Sequence, residues 1–441
     1  MKKEKVNIRK LICFLQELSE LLERRKPIPI GDAVNKIMEY QLNGKTEYIS
    51  IDESYGRFLS EDLLATSDVP HFDRAPYDGF AVRSIDTKGA SINNPVEFKV
   101  VDHLGAGMTS SKVIGEYEAV RIMTGAMMPE GTDAVVMFEV ANSYDKNGTP
   151  CMSIKRSFNK GDNVSYRGED AKEGEVLVKK GTLINPGIQA MLATFGYHSV
   201  PVAKKPVIGL FATGTELLEV DEELVPGKIR NSNSHMIAAQ IHRTGAIVDY
   251  YGKLPDVFDT CYTAVENALD KVDILITTGG VSVGDFDFLP AIYEKLGAEV
   301  LFNKVAMRPG SVTTVAQFQG KLLLGLSGNP SACYVGFELF ARPIIRKMLF
   351  STKPHLRKEK ALLDVDFPKA NPFTRFVRSA YSVKNGRLIV TPSGLDKSNI
   401  IMSLSGANSL MILPGGTRSF QAGDEVDILL LEDHNGSEWP W

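Results

Sequence analysis

The stretch DILITTGGVSVGDFDFLPAIYEKLG, residues 273–297, runs from a short apolar segment through a glycine-rich loop into a helical pattern. Strand and helix patterns alternate in the same way from Pro206 to about Leu349, beginning with VIGLFATG at 207–214. Continuous apolar runs of this kind are typical of parallel strands buried on both faces, and right-handed crossovers place helices on both sides of such a sheet. The sequence therefore predicts an αβα parallel-sheet domain over residues 205–350, with a ligand crevice beyond the carboxyl ends of its strands.

The rest of the chain predicts further regions around this domain, and hence a multidomain α/β protein. A length of 441 residues exceeds what one hydrophobic core usually organises. Short β-rich runs separated by Gly, Asn and Asp turns indicate two small β domains, the second of them barrel-like. The predicted regions are an N-terminal extension at 1–26, a helical linker domain at 27–75 and 167–204, a β-rich domain at 76–166, and a C-terminal β domain at 351–441.

The N-terminal extension has the pattern of an accessory amphipathic helix. Its apolar residues recur at helical spacing and are Ile8, Leu11, Ile12, Leu15, Leu18 and Leu22. Such a stripe suits docking on the protein's own body or on a partner. We expect the extension up to Lys26 to be dispensable for catalysis.

The composition restricts the location of the protein and its partners. No apolar stretch reaches transmembrane length, and Gln16, Glu17 and Glu20 interrupt any secretory signal at the basic N-terminus. The four cysteines stand far apart, as expected of thiols in a reducing cytosol. A formal net charge of -4 lacks the basic excess that nucleic-acid binding demands. We therefore expect a cytoplasmic protein with a small-molecule ligand, no membrane association and no nucleic-acid partner.

Two loops that follow predicted strands suit an anionic ligand. TTGGVSVG at 277–284 offers glycine amides and hydroxyl donors, and SGNP at 327–330 places a proline at the start of a helix. Such loops and helix N-termini bind phosphate through free N–H groups. For either loop alone, an ordinary glycine-rich turn is the alternative. The candidate ligand contacts are Thr278, Gly279, Gly280, Ser282, Gly284, Ser327, Gly328, Asn329 and Pro330.

Two cations, Lys304 and Arg308, lie between these loops in the sequence. Exposed cations usually form a solvated surface, but beside two anion-suited loops a bound oxyanion is favoured. The domain contains neither G-x-G-x-x-G nor a Walker A lysine motif. Dinucleotide sites and P-loop sites are therefore excluded.

Carboxylates cluster after the same predicted strands, at Glu216, Asp256, Asp285 and Asp287. A carboxylate repels a phosphorylated ligand unless a cation lies between them, so the cluster favours a divalent cation, with Mg²⁺ the first candidate. The alternative for Asp256 and Asp287 is a helix-capping role, which either side chain could fill.

Six motifs occur together in the order found in one known family. They are RAPYDGFAV at 74–82, AVRIMTGAMMPEGTDAVVM at 119–137, YRGED at 166–170, ATGTEL at 212–217, TTGGVSVGDFDF at 277–288 and SGNPSA at 327–332. With these motifs the chain from about Pro27 to its C-terminus resembles the MoeA family of molybdopterin molybdotransferases. The gephyrin E domain is the eukaryotic relative of that family.

The resemblance implies insertion of molybdate into adenylylated molybdopterin, with Mg²⁺-dependent cleavage and release of AMP, to give the molybdenum cofactor. It implies catalytic roles for Asp78, Asp170, Glu216, Asp256, Asp287 and Lys304, and metal binding by Glu216, Asp256 and Asp287. It implies ligand contacts by Thr124, Arg378 and Ser398. The implied partners are a second copy of the chain in a homodimer, other molybdenum cofactor assembly proteins and acceptor molybdoenzymes.

Three positions depart from the pattern of many family members. Arg308 and Ser311 stand where lysines are common, and Ser327 replaces the first proline of a P-G-N-P motif. Compared with lysine, arginine at 308 keeps the positive charge and adds a guanidinium that can donate two parallel hydrogen bonds. Serine at 311 removes the positive charge that a lysine would supply. A non-catalytic molybdopterin-binding module and a protein-interaction scaffold are the two alternatives to an enzyme. The flanking β regions with Asp78 and Asp170 favour the enzyme, because a bare binding module would not need them.

Overall fold

The computed structural model describes residues 26–40, 42–255, 257–280, 289–431 and 439. Within these residues the chain forms two compact units. The larger contains the chain up to Glu61, Lys180–Pro186 and the chain from Ser199 onward, and the smaller contains Asp62–Lys179 and Gly187–His198. This grouping is coarser than the five predicted regions, whose boundaries stay predictions.

A six-stranded sheet forms the centre of the larger unit. In chain order its strands are β1 (Val207–Thr213), β2 (Ile247–Leu254), β3 (Ile274–Thr278), β4 (Glu299–Phe302), β5 (Thr314–Phe318) and β6 (Lys321–Leu326). Their spatial order is β2-β1-β3-β6-β5-β4. Pairing is parallel from β2 through β1 and β3 to β6. β5 is antiparallel to both of its neighbours.

Helices cover both faces of this sheet, which confirms the αβα prediction. They are α1 (Ser232–Thr244), α2 (Phe258–Leu269), α3 (Leu289–Leu296), α4 (Pro330–Gly336) and α5 (Arg342–Met348), with a π-helical turn at Phe337–Ala341 joining the last two. On one face, Ile274 and Ile276 pack in a cluster with Ile237 of α1 and with α4 and α5. On the other face, Leu275 packs with Val265 of α2 and with α3. Alternate residues of β3 thus pack into the apolar clusters on opposite faces of the sheet.

The sheet departs from the predicted parallel arrangement at β5, which is joined to β6 by a short turn. Only Gln319 and Gly320 separate these strands, and both have positive φ, of 48° and 79°. Two residues in this conformation form a tight hairpin turn, which joins antiparallel strands, whereas a parallel connection needs a crossover of a dozen residues or more. β5 therefore runs against its neighbours.

The C-terminal part of the larger unit is a closed five-stranded barrel, in agreement with the barrel-like prediction. Its strands are β7 (Lys358–Leu363), β8 (Thr374–Lys384), β9 (Arg387–Pro392), β10 (Ser409–Leu413) and β11 (Glu425–Leu430). The ring closes in the order β8-β9-β7-β11-β10, because β10 also pairs with β8. Val377, Val390, Met411 and Ile428 are buried in its interior. A short strand, Met307–Arg308, pairs in parallel with the start of β8 and so connects the αβα domain to the barrel.

Shorter elements complete the larger unit. Helix Ile30–Glu39 packs its apolar face into the main core. The remaining elements are strand Thr46–Ser50, which pairs with Ser199–Ala203, the 3-10 turn Ile51–Glu53, the short pair Leu217–Leu218 and Ile229–Arg230, and helix Met402–Ser405.

The smaller unit is mainly β structure. Its six-stranded sheet contains, in spatial order, Ala134–Met137, Gly79–Val82, Glu118–Ile122, Val96–Leu104, Thr149–Ile154 and Ala141–Lys146. Apolar clusters cover both faces, with Ala81 and Val120 in one and Phe80 and Val82 in the other. Leu63–Leu64 pairs with Val176–Val178, and the other elements are the turns Ser84–Thr87 and Phe138–Val140 and helix Pro186–Thr194. Across the described residues of both units, none of the helices has the length and apolarity of a membrane span.

Candidate active site

The described starts of the two predicted anion loops, at Thr278–Gly280 and Ser327–Pro330, lie at the carboxyl edge of the sheet. β1, β3 and β6 are adjacent, and Thr278 is in register with Leu326. The N–H of Gly279 donates to the carbonyl of Leu326 at 2.8 Å, and the hydroxyl of Thr213 donates to the carbonyl of Thr278 at 3.2 Å. The ends of three neighbouring strands thus place the loop that starts at Thr278 beside the loop that starts at Ser327.

Glycine is required at 279 by two separate features. Its φ of +91° lies in the left-handed region, which side chains rarely adopt. A Cβ there would also lie 2.7 Å from the hydroxyl oxygen of Thr213 and 2.9 Å from its carbonyl oxygen. The close approach of β1 to this loop therefore leaves no room for a side chain.

Asn233 contacts the loop that starts at Ser327, and no sequence pattern predicted this contact. It lies in the first turn of α1 and donates from its Nδ2 to the carbonyl of Gly328 at 2.7 Å. Its buried Oδ1 has no hydrogen-bond partner in the described part of the chain. The NSNS run at 231–234 signals a helix start, because Asn231 caps α1, but nothing in it indicates a contact almost a hundred residues away.

A cavity of about 350 Å³ opens between the αβα domain and the barrel. Four predicted ligand residues line it together, namely Arg308, Ser327, Asn329 and Ser398, and so does the departure residue Ser311. Lys304 is not among the residues that line it. Arg375, Asp396 and Lys397 also line the cavity, although no sequence pattern singled them out.

Arg308 is an exposed cation of this cavity. The pairing of Met307–Arg308 with Thr374 and Arg375 sets its backbone position. Among the residues that the structure describes, its guanidinium makes no hydrogen bond or ion pair. Its donors are therefore available to an oxyanion, and the hydroxyls of Ser311, Ser327 and Ser398 line the same space.

Arg378 lies beneath the cavity and not in its lining. It is 2% exposed, and it donates to the Oδ1 of Asp396 at 3.1 Å and to the hydroxyl of Ser403 at 3.2 Å. Burial lowers the pKa of its guanidinium below the ordinary value, and the Asp396 carboxylate opposes that shift. All of these partners belong to the protein itself, and the role of Arg378 as a ligand contact stays a prediction.

The start of α4 differs from the expected free helix terminus. Pro330 has no N–H, and the N–H of Ser331 donates to the carbonyl of Ser398 at 3.0 Å. The hydroxyl of Ser331 donates to the carbonyl of Ile400 at 2.7 Å. This helix end therefore holds a loop of the barrel, and the loop contributes Ser398 to the cavity.

Of the three proposed metal ligands, one lies in the described part of the chain. Glu216 follows β1 on the exposed side of the carboxyl edge, and its carboxylate has no partner within that part. Asp256 and Asp287 lie outside the described residues, as do Ser282 and Gly284. The described ranges contain no group of three or more His, Cys, Asp or Glu side chains positioned for a metal ion.

The remaining predicted residues belong to the smaller unit. The Asp78 carboxylate accepts hydrogen bonds from the N–H of Thr124 at 2.7 Å and from its hydroxyl at 2.8 Å. These bonds lower the pKa of Asp78, so it is ionised at neutral pH. Asp170 is exposed, and its N–H donates to the carbonyl of Val69 at 3.0 Å. The structure thus places Asp78 and Thr124 in direct hydrogen-bond contact, and it describes Asp170 separately.

Comparison with known proteins adds the family. Family models match the MoeA N-terminal region (domain I and II) at 28–196, a probable molybdopterin binding domain at 209–347, and the MoeA C-terminal region (domain IV) at 360–431. The chain belongs to the MoeA family. As a MoeA family member it is a transferase of molybdenum cofactor biosynthesis. The matches include the regions on both sides of the αβα domain, which contradicts the alternative of a bare binding module.

Individual MoeA relatives agree with this assignment over nearly the whole chain. A molybdopterin molybdenumtransferase of Bacillus subtilis (strain 168) is 59% identical over 421 residues, which cover 96% of this chain and 98% of that protein. One from Staphylococcus aureus (strain COL) is 50% identical over 418 residues, 95% of this chain and 99% of that protein. The crystal structure of a molybdopterin biosynthesis MoeA protein from Pyrococcus horikosii superposes with a TM-score of 0.82 at 29% identity, covering 92% of this chain and 100% of that chain.

Proposed function

We propose that the chain transfers molybdate onto adenylylated molybdopterin and releases AMP. The observation that carries the proposal is the cavity that Arg308, unpaired within the described part of the chain, lines together with Ser311, Ser327 and Ser398. Molybdate is a tetrahedral oxyanion, and a guanidinium with several neutral donors is a suitable environment for such a group. Molybdate is a substrate here, so the cavity needs to bind it reversibly.

We assign the phosphorylated pterin to the neighbouring carboxyl edge of the sheet. The loops that start at Thr278 and Ser327 lie side by side there, and a Cβ at Gly328 would stand only 3.6 Å from the Cα of Gly279. Backbone can therefore approach a ligand closely on both loops, as phosphate binding requires. The roles of Asp78, Thr124, Asp170 and Lys304 in this reaction are further parts of the proposal and rest on the family resemblance.

Glu216 fits a magnesium ion that is shared with the substrate. Mg²⁺ is usually held by one or two carboxylates, several waters and substrate phosphates, so a cluster of three protein ligands is not required. Glu216 offers an exposed carboxylate without a partner in the described part of the chain, three residues beyond the carboxyl end of β1, the neighbour of β3. We propose Asp256 and Asp287 as the other ligands. A bound Mg²⁺ would neutralise the charge that develops when the pyrophosphate is cleaved.

We also propose a cytoplasmic homodimer that exchanges its substrate and product with other cofactor assembly proteins and acceptor molybdoenzymes. Three described cysteines, Cys151, Cys261 and Cys333, are buried thiols, which is consistent with a reducing compartment. The dimer follows from the family resemblance. Light scattering should give about twice the chain mass of 48.4 kDa. A monomer that turns over substrate at full rate would contradict the dimer.

The proposed reaction can be tested by following AMP release from adenylylated molybdopterin. Wild-type protein should release AMP and incorporate molybdenum in equal amounts when molybdate is present. Arg308→Ala should raise the KM for molybdate about 10- to 100-fold, because the cavity loses a guanidinium whose donors are unpaired in the described part of the chain. Its melting temperature should stay within a few degrees of wild type, since Arg308 has no described partner.

The matched control is Arg387→Ala, which removes an exposed arginine from the barrel at a distance from the cavity lining. It should leave the KM for molybdate unchanged. A wild-type protein that binds the nucleotide but never releases AMP would show that the proposed reaction is wrong. An Arg308→Ala variant with an unchanged KM would show that molybdate binds elsewhere.

A further inference from the structure

The cavity lined by Arg308, Ser327 and Ser398 is called the oxyanion cavity below. Its wall contains a carboxylate that is surrounded by cations of the barrel. Asp396 accepts hydrogen bonds from Arg375 Nη1 at 2.8 Å, from Arg378 Nη1 at 3.1 Å and from Lys369 Nζ at 3.4 Å. Its side chain is 5% exposed. Asp396 is thus the shared anion of three cations, and both of its oxygens are occupied by the protein.

The same cluster holds the backbone of the loop from Leu395 to Ile400. Arg378 Nη2 donates to the carbonyl of Leu395 at 3.1 Å and to the carbonyl of Lys397 at 3.2 Å. Arg375 is fixed in turn, because its Nε donates to the Oδ1 of Asn371 at 2.6 Å. Asp396 therefore connects two arginines of β8 to the loop that contains it.

The other side of this loop is attached to the αβα domain. Ser331, which is fully buried at the start of α4, donates its N–H to the carbonyl of Ser398 and its hydroxyl to the carbonyl of Ile400. Between these two sets of bonds the loop contributes Lys397 and Ser398 to the cavity. The position of both side chains thus depends on contacts to the barrel and to α4.

We propose that Asp396 is a positioning residue for the oxyanion cavity, holding the loop that contains Lys397 and Ser398 against Ser331. The inference rests on the proposed function of that cavity. Asp396 does not bind the anion itself, because like charges repel and its oxygens already accept from guanidinium groups. Its carboxylate also compensates the buried charge of Arg378, and an uncompensated buried charge would force the arginine and its loop to move.

Removing the charge of Asp396 tests the proposal, because two possible roles of the carboxylate predict changes of opposite sign in molybdate affinity. If the carboxylate acted only as a nearby negative charge, its removal would strengthen anion binding by releasing Arg375 and Arg378. If it positions the loop, its removal weakens binding, because Lys397 and Ser398 leave their places. The two interpretations predict opposite changes in molybdate affinity.

The test compares Asp396→Asn with Asp427→Asn in the full-length protein. Asp427 is a matched control, since it lies on β11 of the same barrel and forms ion pairs with Lys358 at 2.8 Å and Lys360 at 2.9 Å, outside the cavity lining. We expect Asp396→Asn to weaken molybdate binding at least tenfold in calorimetry, with kcat at saturating molybdate within a few-fold of wild type. Asp427→Asn should bind like wild type even if both variants melt a few degrees lower.

A second readout needs no ligand. Hydrogen exchange of the peptide that contains Ser331, followed by mass spectrometry, should become faster in Asp396→Asn and not in Asp427→Asn, because the bond to Ser398 opens. Unchanged or tighter molybdate binding in Asp396→Asn would overturn the proposal, as would unchanged exchange at Ser331. If wild-type protein binds no molybdate, the proposed function fails while the exchange measurement still decides whether Asp396 holds the loop.

Discussion

Replacing Glu338 with Gln should lower the free energy of unfolding by about 3–5 kcal/mol, because it removes the anion of a buried charge cluster. Glu338 lies in the π-helical turn after α4 with a fully buried side chain. Its Oε1 accepts from Arg243 and, at 2.6 Å, from Gln240, both on α1. Its Oε2 lies 3.6 Å from the Nε of Arg342, whose side chain is 4% exposed. Glutamine keeps the shape but removes the negative charge that Arg243 and Arg342 face at this position.

Urea unfolding of the wild type and the variant in parallel measures this loss. The matched control is Glu425→Gln, which breaks an ion pair with Lys360 whose side chains are 61% and 62% exposed. Exposed pairs contribute about 0–1 kcal/mol, so the control should unfold almost like the wild type. Exchanging Glu338 and Arg342 together for methionine should recover the share of the loss that arises at Arg342, since a packed apolar pair needs no charge compensation, whereas Arg243 still loses its bond to Glu338. A loss below about 1 kcal/mol in Glu338→Gln would mean that solvent reaches the cluster.

The αβα domain and the barrel could be predicted because their signals are local. β1 and β3 appear in the sequence as uninterrupted apolar runs, and the cap residues Asn231 and Gly245 mark both ends of α1. The antiparallel strand β5 was missed for an equally local reason. Its turn places Gln319 at positive φ, where glycine or asparagine would be the usual sequence signal.

The supporting residues of the site could not be predicted, because their roles arise from contacts between distant parts of the chain. Ser331 meets Ser398 across 67 positions, and Asp396 meets Arg378 across 18. Sequence reasoning recognised Arg378 as a ligand candidate by its motif. Its burial beneath the cavity is a tertiary property that no spacing rule contains. The ends of predicted strands therefore indicate where a ligand lies. The side chains that hold the ligand-binding loops in place can be identified only from the folded structure.

Replacing Glu216 with Gln should slow AMP release about 100-fold or more while leaving the fold intact. Glu216 is exposed after β1 and has no partner in the described part of the chain, so an isosteric amide removes only charge. If the carboxylate holds Mg²⁺ on the pyrophosphate, its loss weakens metal binding where negative charge develops, and the rate of cleavage falls. Nucleotide affinity should change little, because the loops that start at Thr278 and Ser327 are untouched.

Glu223→Gln is the matched control for Glu216→Gln. Glu223 is an exposed glutamate in the segment that follows Glu216, likewise without a partner in the described part of the chain, and no metal role is proposed for it. Steady-state AMP release across a range of Mg²⁺ concentrations distinguishes the two positions. Excess Mg²⁺ should restore part of the rate in Glu216→Gln, because mass action compensates for weaker metal binding, and should not affect Glu223→Gln. Wild-type AMP release in Glu216→Gln at low Mg²⁺ would exclude a metal role for Glu216, since the only change would then be the loss of a charge that the reaction does not use.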